Sequence, residues 1–208
     1  MNIKELLQEQ QGVHRLLHVG CGAASPERLP SCFRQPAWRE IRLDIDPGVH
    51  PDILASMTDL SAVDRGSMDA LWSSHNLEHL NGYEVPKALK EFVRVLKPDG
   101  FALFNLPDLS AIARHILSGN LNQPLYQSAA GLITPHDMLF GHQQSLQKGL
   151  RHMAHRTGFT GTTLGEALLA AGFAEVRVAP GRHWDLWALA MMPSTSPAVV
   201  EALAGVMQ

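Results

Sequence analysis

The sequence predicts an α/β fold: a mostly parallel sheet alternating with helices and closing in an antiparallel pair of strands. Three observations predict it. Short apolar runs that read as strands alternate with segments of helical spacing, and such alternation requires crossover connections and hence parallel strands. Several strand-like runs end in glycine or in acids, as in Val19-Gly20-Cys21-Gly22 and Leu43-Asp44-Ile45-Asp46, and the carboxyl ends of parallel strands are where such sheets hold ligands. The last two runs, Phe173 to Ala179 and Trp184 to Met192, are joined through Pro180-Gly181 and read as an antiparallel hairpin.

Taken in order, Ile3 to Gln10 have the spacing of a short amphipathic helix, and Arg15 to Val19 read as a buried strand. Pro26, Pro30 and Pro36 fall in the stretch from Ala23 to Arg39. Any helix there is short or broken, because proline lacks an amide proton and clashes with the preceding turn. Glu40 to Asp46, Asp52 to Ala55 and Met68 to Ser74 are the next strands. Val85, Leu89, Phe92, Val93 and Leu96 recur at helical spacing between Tyr83 and Lys97, and Pro98-Asp99-Gly100 closes that segment. Phe101 to Leu106 is a fifth strand, after which Asp108 caps a helix through Leu117. Thr160 to Ala171 is a helix ended by Gly172, and a short Pro193 to Pro197 connector leads to a terminal helix. Between them, Gly119 to Thr160 is polar and rich in Gly, Pro and His. Such a stretch is expected to be a lid or substrate-binding insertion, at about 119–158, rather than a structureless loop.

Composition narrows the class. A length of 208 residues suits one sizeable core, so a single domain over 1–208 is expected. Hydrophobic residues at 45% and charged residues at 18% are ordinary globular values, which argues against disorder. Seventeen basic and twenty acidic side chains give a charge of −3 with no dense basic run, so no nucleic-acid partner is expected. No apolar stretch reaches the ~20 residues of a membrane span, and Lys4, Glu5 and Glu9 are unlike a signal-peptide core; a cytoplasmic protein is expected, its oligomeric state open. Cys21 and Cys32 are too few for a disulfide framework, and with no HExxH among eleven histidines no structural metal is expected.

The strand ends carry the chemistry. Gly20 and Gly22 allow tight turning and close approach of a ligand to backbone. Asp44 follows 24 residues after Gly20, where an acid can accept hydrogen bonds from ribose hydroxyls. Asp59 follows the third strand and Ser74-His75 the fourth, so together these ends describe a nucleoside cleft.

Leu17-His18-Val19-Gly20-Cys21-Gly22, Arg42 to Pro47, Thr58-Asp59-Leu60, Ser73 to Leu80 and Phe92 to Gly100 resemble, in order and spacing, the successive motifs of class I S-adenosylmethionine-dependent methyltransferases of the type 11 group. The resemblance spans residues 15–108. It implies a Rossmann-like methyltransferase fold with a mostly parallel seven-stranded sheet, an antiparallel C-terminal strand and helices on both faces. It also implies methyl transfer from S-adenosyl-L-methionine to an unidentified, small-molecule acceptor. Gly20, Cys21 and Gly22, beside Val19, would run under the methionine part; Asp44, beside Ile45, would hold the ribose; Asp59 and Leu60 would flank adenine; Ser74 and His75 would face the sulfonium. Three positions depart from the pattern: His18 where many members have an acid, Ala24 in place of a third glycine, and Asp99 in place of the first glycine of a Pro-Gly-Gly turn. These departures keep a second reading open, a noncatalytic S-adenosylmethionine-binding or regulatory domain of the same fold. A nicotinamide-dependent oxidoreductase fits less well, since the third glycine of its loop is missing.

A methyl sulfonium is already electrophilic, so the protein's task is to align the acceptor and exclude water. No protein nucleophile is required. A base suits some acceptors, and His75, His79 and His142 are the candidates, with His79 and His142 taken as the catalytic pair to test.

Overall fold

The computed structural model describes residues 13–128, 130–205 and 207; the helix expected over Ile3 to Gln10 lies outside them. Seven strands form one sheet: β1 (His14–Val19), β2 (Trp38–Asp44), β3 (Ile53–Leu54), β4 (Met68–Ser74), β5 (Leu96–Pro107), β8 (Glu175–Pro180) and β9 (Asp185–Met191). A separate two-stranded hairpin is made by β6 (Tyr126–Ser128) and β7 (Gly131–Ile133). The order across the large sheet is β3-β2-β1-β4-β5-β9-β8. Strands β1 to β5 pair in parallel, β9 runs antiparallel to β5, and β8 pairs antiparallel with β9. The chain winds outward from β1 through β2 to β3, then returns to the other side of β1 at β4. That reversal opens a crevice at the carboxyl ends of β1 and β4.

The helices are α1 (Val85–Val95), α2 (Leu109–Ile116), α3 (Pro135–Phe140), α4 (Gln143–Gln147), α5 (Gly161–Ala171) and α6 (Pro197–Ala204). On one face, α1 buries Val85, Ala88, Leu89, Phe92 and Val95, and α5 buries Leu164 and Leu168, against Leu17, Leu71 and Phe104 of the sheet. Thr160 caps α5 in a capping box with Thr163, and Gly172 ends it at φ 117°. The opposite face is covered differently. The proline-broken segment forms two 3-10 turns, Pro26–Arg28 and Ser31–Phe33, whose Leu29, Cys32 and Phe33 join Val200 and Leu203 of α6 over Leu16, Trp72, Phe101 and Leu189.

One strand begins well before its expected start. Strand β5 starts at Leu96 rather than Phe101, so Pro98-Asp99-Gly100 lies inside it at a register shift opposite Met68 to Ala70. A side chain at Gly100 would stand 2.9 Å from the Asp69 carbonyl, which explains the glycine. Asp99 is exposed at the amino end of β5, so its departure from the family pattern lies at the edge opposite the crevice. The long stretch after α2 is also folded: the β6–β7 hairpin, α3, α4 and a 3-10 turn at Arg151–Met153 fill it. Ile112, Ile133 and Met138 make a small apolar cluster that holds it to α2. Among the described residues no helix is long and apolar enough to cross a membrane.

Candidate functional site

A pocket of about 390 Å3 opens at the carboxyl edge where β1, β4 and β5 end. His18, Gly20, Ser74, His75, Asn105 and Trp187 contribute to its wall from the sheet. The 3-10 turns close it from above with Arg28 and Arg34, and none of its lining residues comes from 119–158. Of the three histidines weighed as proton acceptors, only His75 lines it.

The glycine loop is fixed by its neighbours. Gly20 and Gly22 sit at φ 64° and 58°. A Cβ on Gly20 would fall 1.8 Å from Oδ1 of Asn76. Asn76 occupies that space because its amide donates to the carbonyls of Val19 and Ser74 at 2.8 and 2.9 Å and to Ser73 Oγ at 3.2 Å. Glycine is thus required at position 20 by both torsion and contact. Cys21 is buried, and that burial pushes its thiol up to about 11, which makes it a loop spacer rather than a nucleophile.

Asp44 ends β2 facing this loop. Its Oδ2 accepts from the Gly22 amide at 2.8 Å and its Oδ1 from the Asp46 amide at 2.9 Å. Two amides fix the carboxylate and still leave it lone pairs, since a carboxylate accepts about four hydrogen bonds. Arg42 ties the same region together, its guanidinium donating to the carbonyls of Gly22, Val49 and His50. Ile45 beside Asp44 is 59% exposed.

Asp59 and Leu60 lie farther along. Asp59 is exposed, and its pKa is lowered first by the Ser61 side chain and then by the Ser61 amide, which donates to it at 3.1 Å. Leu60 is fully buried in the core, its amide donating to Glu91 Oε2 at 2.8 Å. Its side chain therefore packs inward and presents nothing to the crevice.

His18, the departure from the acid pattern, is buried on the pocket wall with Nδ1 2.6 Å from Glu40 Oε1. Burial lowers its pKa and outweighs the opposing Glu40 contact, while Arg28 and Arg42 add to the lowering. The neutral ring donates through Nδ1 to the carboxylate and keeps an acceptor lone pair on Nε2.

At the end of β4, His75 adopts φ 54° and its amide donates to the Asn105 carbonyl at 2.8 Å. Desolvation acts to lower its pKa, but Glu78 Oε1, 3.3 Å from Nδ1, outweighs this and the net shift is upward. His79 and His142 sit elsewhere: His79 Nδ1 is 3.2 Å from the Ala154 carbonyl, and His142 Nδ1 is 2.8 Å from Ser145 Oγ. Neither lines the pocket.

Asn105 and Trp187 were not singled out by sequence as site residues. Asn105 donates to Asp185 Oδ2 at 2.6 Å, and Trp187 donates to the same oxygen at 3.1 Å while stacking on Trp72 at 5.5 Å. A polar residue in the apolar run Phe101 to Leu106 was the available signal for Asn105.

A sheet of this order, with a glycine turn after β1 and an acid ending β2 in contact with it, defines the class I S-adenosylmethionine-dependent methyltransferase fold. Solved structures share that fold. A SAM-dependent methyltransferase from Archaeoglobus fulgidus is 13% identical, with 91% of this chain and 90% of that one covered at a TM-score of 0.57. One from Aquifex aeolicus is 14% identical over 92% and 89%, at 0.53. The 1,6-didemethyltoxoflavin-N1-methyltransferase of Burkholderia thailandensis is 17% identical over 93% and 76%, at 0.54. No curated protein shows significant sequence similarity.

Residues 17–104, which run from β1 through most of β5 and include the glycine loop and Asp44, match the family model of a methyltransferase domain. The match covers less than half of the chain, and the chain shares the fold of the S-adenosylmethionine-dependent methyltransferases, whose cofactor is S-adenosylmethionine.

Proposed function

We propose that this enzyme transfers the methyl group of S-adenosylmethionine to a small-molecule acceptor bound in the pocket beneath the two 3-10 turns. The observation that carries the reading is the Gly22–Asp44 contact, with Gly22 beneath the Arg28 guanidinium of the pocket wall. It joins the loop suited to the methionine part to the carboxylate suited to the ribose. The donor set fits the cofactor's parts: Asp44 has lone pairs for sugar hydroxyls, and exposed Ile45 offers an apolar surface to adenine. His18 Nε2 is an acceptor for the α-ammonium. Arg28, whose guanidinium lies over Gly22, is a partner for the carboxylate. Val19, Cys21, Asp59 and Leu60 act through backbone and packing.

The cofactor supplies an electrophilic methyl group on sulfonium. The chain's own residues orient and desolvate. Ser74 and His75 border the reacting end, Asn105 and the stacked Trp72–Trp187 pair shape the acceptor's side, and Arg28 and Arg34 close the pocket. The space of about 390 Å3 is small-molecule sized and is shared between the methionine end of the cofactor, on the His18, Gly20 and Arg28 side, and the acceptor. The Burkholderia relative in fold is described with a small heterocycle and S-adenosylhomocysteine bound, which accords with this acceptor class.

Calorimetry with S-adenosylhomocysteine tests the reading. Wild-type protein binds it, and Asp44→Ala weakens binding by roughly tenfold or more through lost ribose hydrogen bonds of ~1.5 kcal/mol or above. Labelled S-adenosylmethionine offered with a panel of small hydroxyl, amine and heterocyclic acceptors then identifies the product. Cofactor binding with no transfer to any acceptor would instead favour the noncatalytic reading, and no binding at millimolar ligand would remove both.

A further inference from the structure

Glu78, His79 and His155 take no part in the pocket. Each offers a ligand atom, and the three atoms lie within 4.8 Å of one another. In a tetrahedral set, ligand atoms ~2.1 Å from an ion stand ~3.4 Å apart, so rotamer changes that draw these atoms in by about an ångström bring the set onto one centre.

The details favour a cation over a plain polar cluster. Glu78 is 1% exposed, and neither carboxylate oxygen has a hydrogen-bond partner. Its nearest cationic neighbour is His75, at 3.3 Å and in poor hydrogen-bonding geometry. A carboxylate buried so incompletely satisfied costs several kcal/mol unless a positive centre faces it. His79 Nδ1 lies 3.2 Å from the Ala154 carbonyl and His155 Nδ1 lies 2.8 Å from the Met138 carbonyl. Carbonyls only accept, so both protons sit on Nδ1 and both Nε2 lone pairs are free. Imidazoles that ligate metals are oriented by this kind of outer hydrogen bond. The two rings meet at 4.9 Å and 66°.

We propose that Glu78, His79 and His155 form a binding site for a divalent first-row transition-metal ion of the Zn2+ type. Two imidazoles and one carboxylate suit Zn2+, Co2+ or Mn2+ better than Mg2+ or Ca2+, which prefer all-oxygen sets. Three protein ligands leave the ion positions for water or another oxygen donor. The run His75-Asn76-Leu77-Glu78-His79 has H-x-x-E-H spacing, which places two histidines on one ion when helical. Here Leu77–His79 is a 3-10 turn, His75 lies on the pocket wall, and His155 supplies the second imidazole from a distant segment. The ion cross-links the end of the 119–158 segment to the turn after β4. Backbone bonds from the Arg156 and Thr157 amides to the Glu78 carbonyl, at 2.8 and 3.2 Å, already bring these segments together.

The test is metal uptake by the chelator-treated full chain, independent of methyl transfer. Equilibrium dialysis against ZnCl2 gives one ion per chain, and CoCl2 gives visible absorption bands that Zn2+ abolishes. His155→Gln and Glu78→Gln each weaken uptake by ~10-fold or more, while His152→Gln, on the exposed neighbouring turn, leaves it unchanged. Circular dichroism of the metal-free variants, matching metal-free wild type, separates lost ligation from misfolding. Unchanged Co2+ affinity in folded His155→Gln, or no stoichiometric uptake at micromolar metal, overturns the proposal.

Discussion

The sheet's two faces are closed by different means. One carries α1 and α5, regular helices whose buried residues recur every third or fourth position. The other carries two 3-10 turns and α6, and it is this irregular cover that leaves room for the pocket. Eleven-residue helices supply long apolar stripes and close their face. Three-residue turns supply anchors such as Leu29 and Phe33, between which polar groups such as His18 and Arg28 line the space. The first face is built for stability and the second for access.

The sharpest test is a matched pair of truncations. Phe92→Ala, on the helical face with 0% exposure, should lose about 3–5 kcal/mol in urea denaturation with cofactor affinity kept. Phe33→Ala should sit toward the lower end of ~3–5 kcal/mol, because a short turn relaxes into the space, yet weaken S-adenosylhomocysteine binding. Equal binding by both variants would break the distinction.

Gly20→Ala should cost at least about 1–2 kcal/mol for its left-handed torsion. Displacement of Asn76 adds to that, and binding by calorimetry should fall more than stability does. Thr160→Ala removes the cap of α5 and should lower stability by about 1 kcal/mol without touching cofactor affinity.

The smallest effect is a pH dependence. The groups facing His18 are Glu40, Arg28 and Arg42, and burial holds its pKa below the ordinary value of about 6.5. The unfolded chain therefore takes up a proton that the folded one resists, so stability is full above pH ~6.5 and declines as pH falls through the lower folded value. Protonation also removes the Nε2 acceptor. S-adenosylhomocysteine affinity should be flat from pH 7 to 8 and fall in acid, and His18→Gln should flatten that fall.

The sheet was largely legible because its signals are local. Met68 to Ser74 was read with its observed limits, and Asp108, Thr160 and Gly172 cap or end helices as their residue types dictate. The prolines of Ala23 to Arg39 announced the short turns, though not that these would roof a pocket. Residues 119–158 resisted because no helix or strand there exceeds six residues, too short for a hydrophobic period to repeat. Gly20, Gly22 and Asp44 converge as their spacing suggested. Asn105, Trp187 and His155 could not be found this way, since their neighbours in space come from β9, β4 and the turn after β4. The H-x-x-E-H run was visible but uninformative until His155 stood beside it.

Arg42 has one further consequence. By gripping the carbonyls of Gly22, Val49 and His50, a single guanidinium makes the segments after β1 and β2 one mechanical unit. A nucleoside bound there as proposed would meet a mould already set, so little ordering entropy would be lost on its arrival.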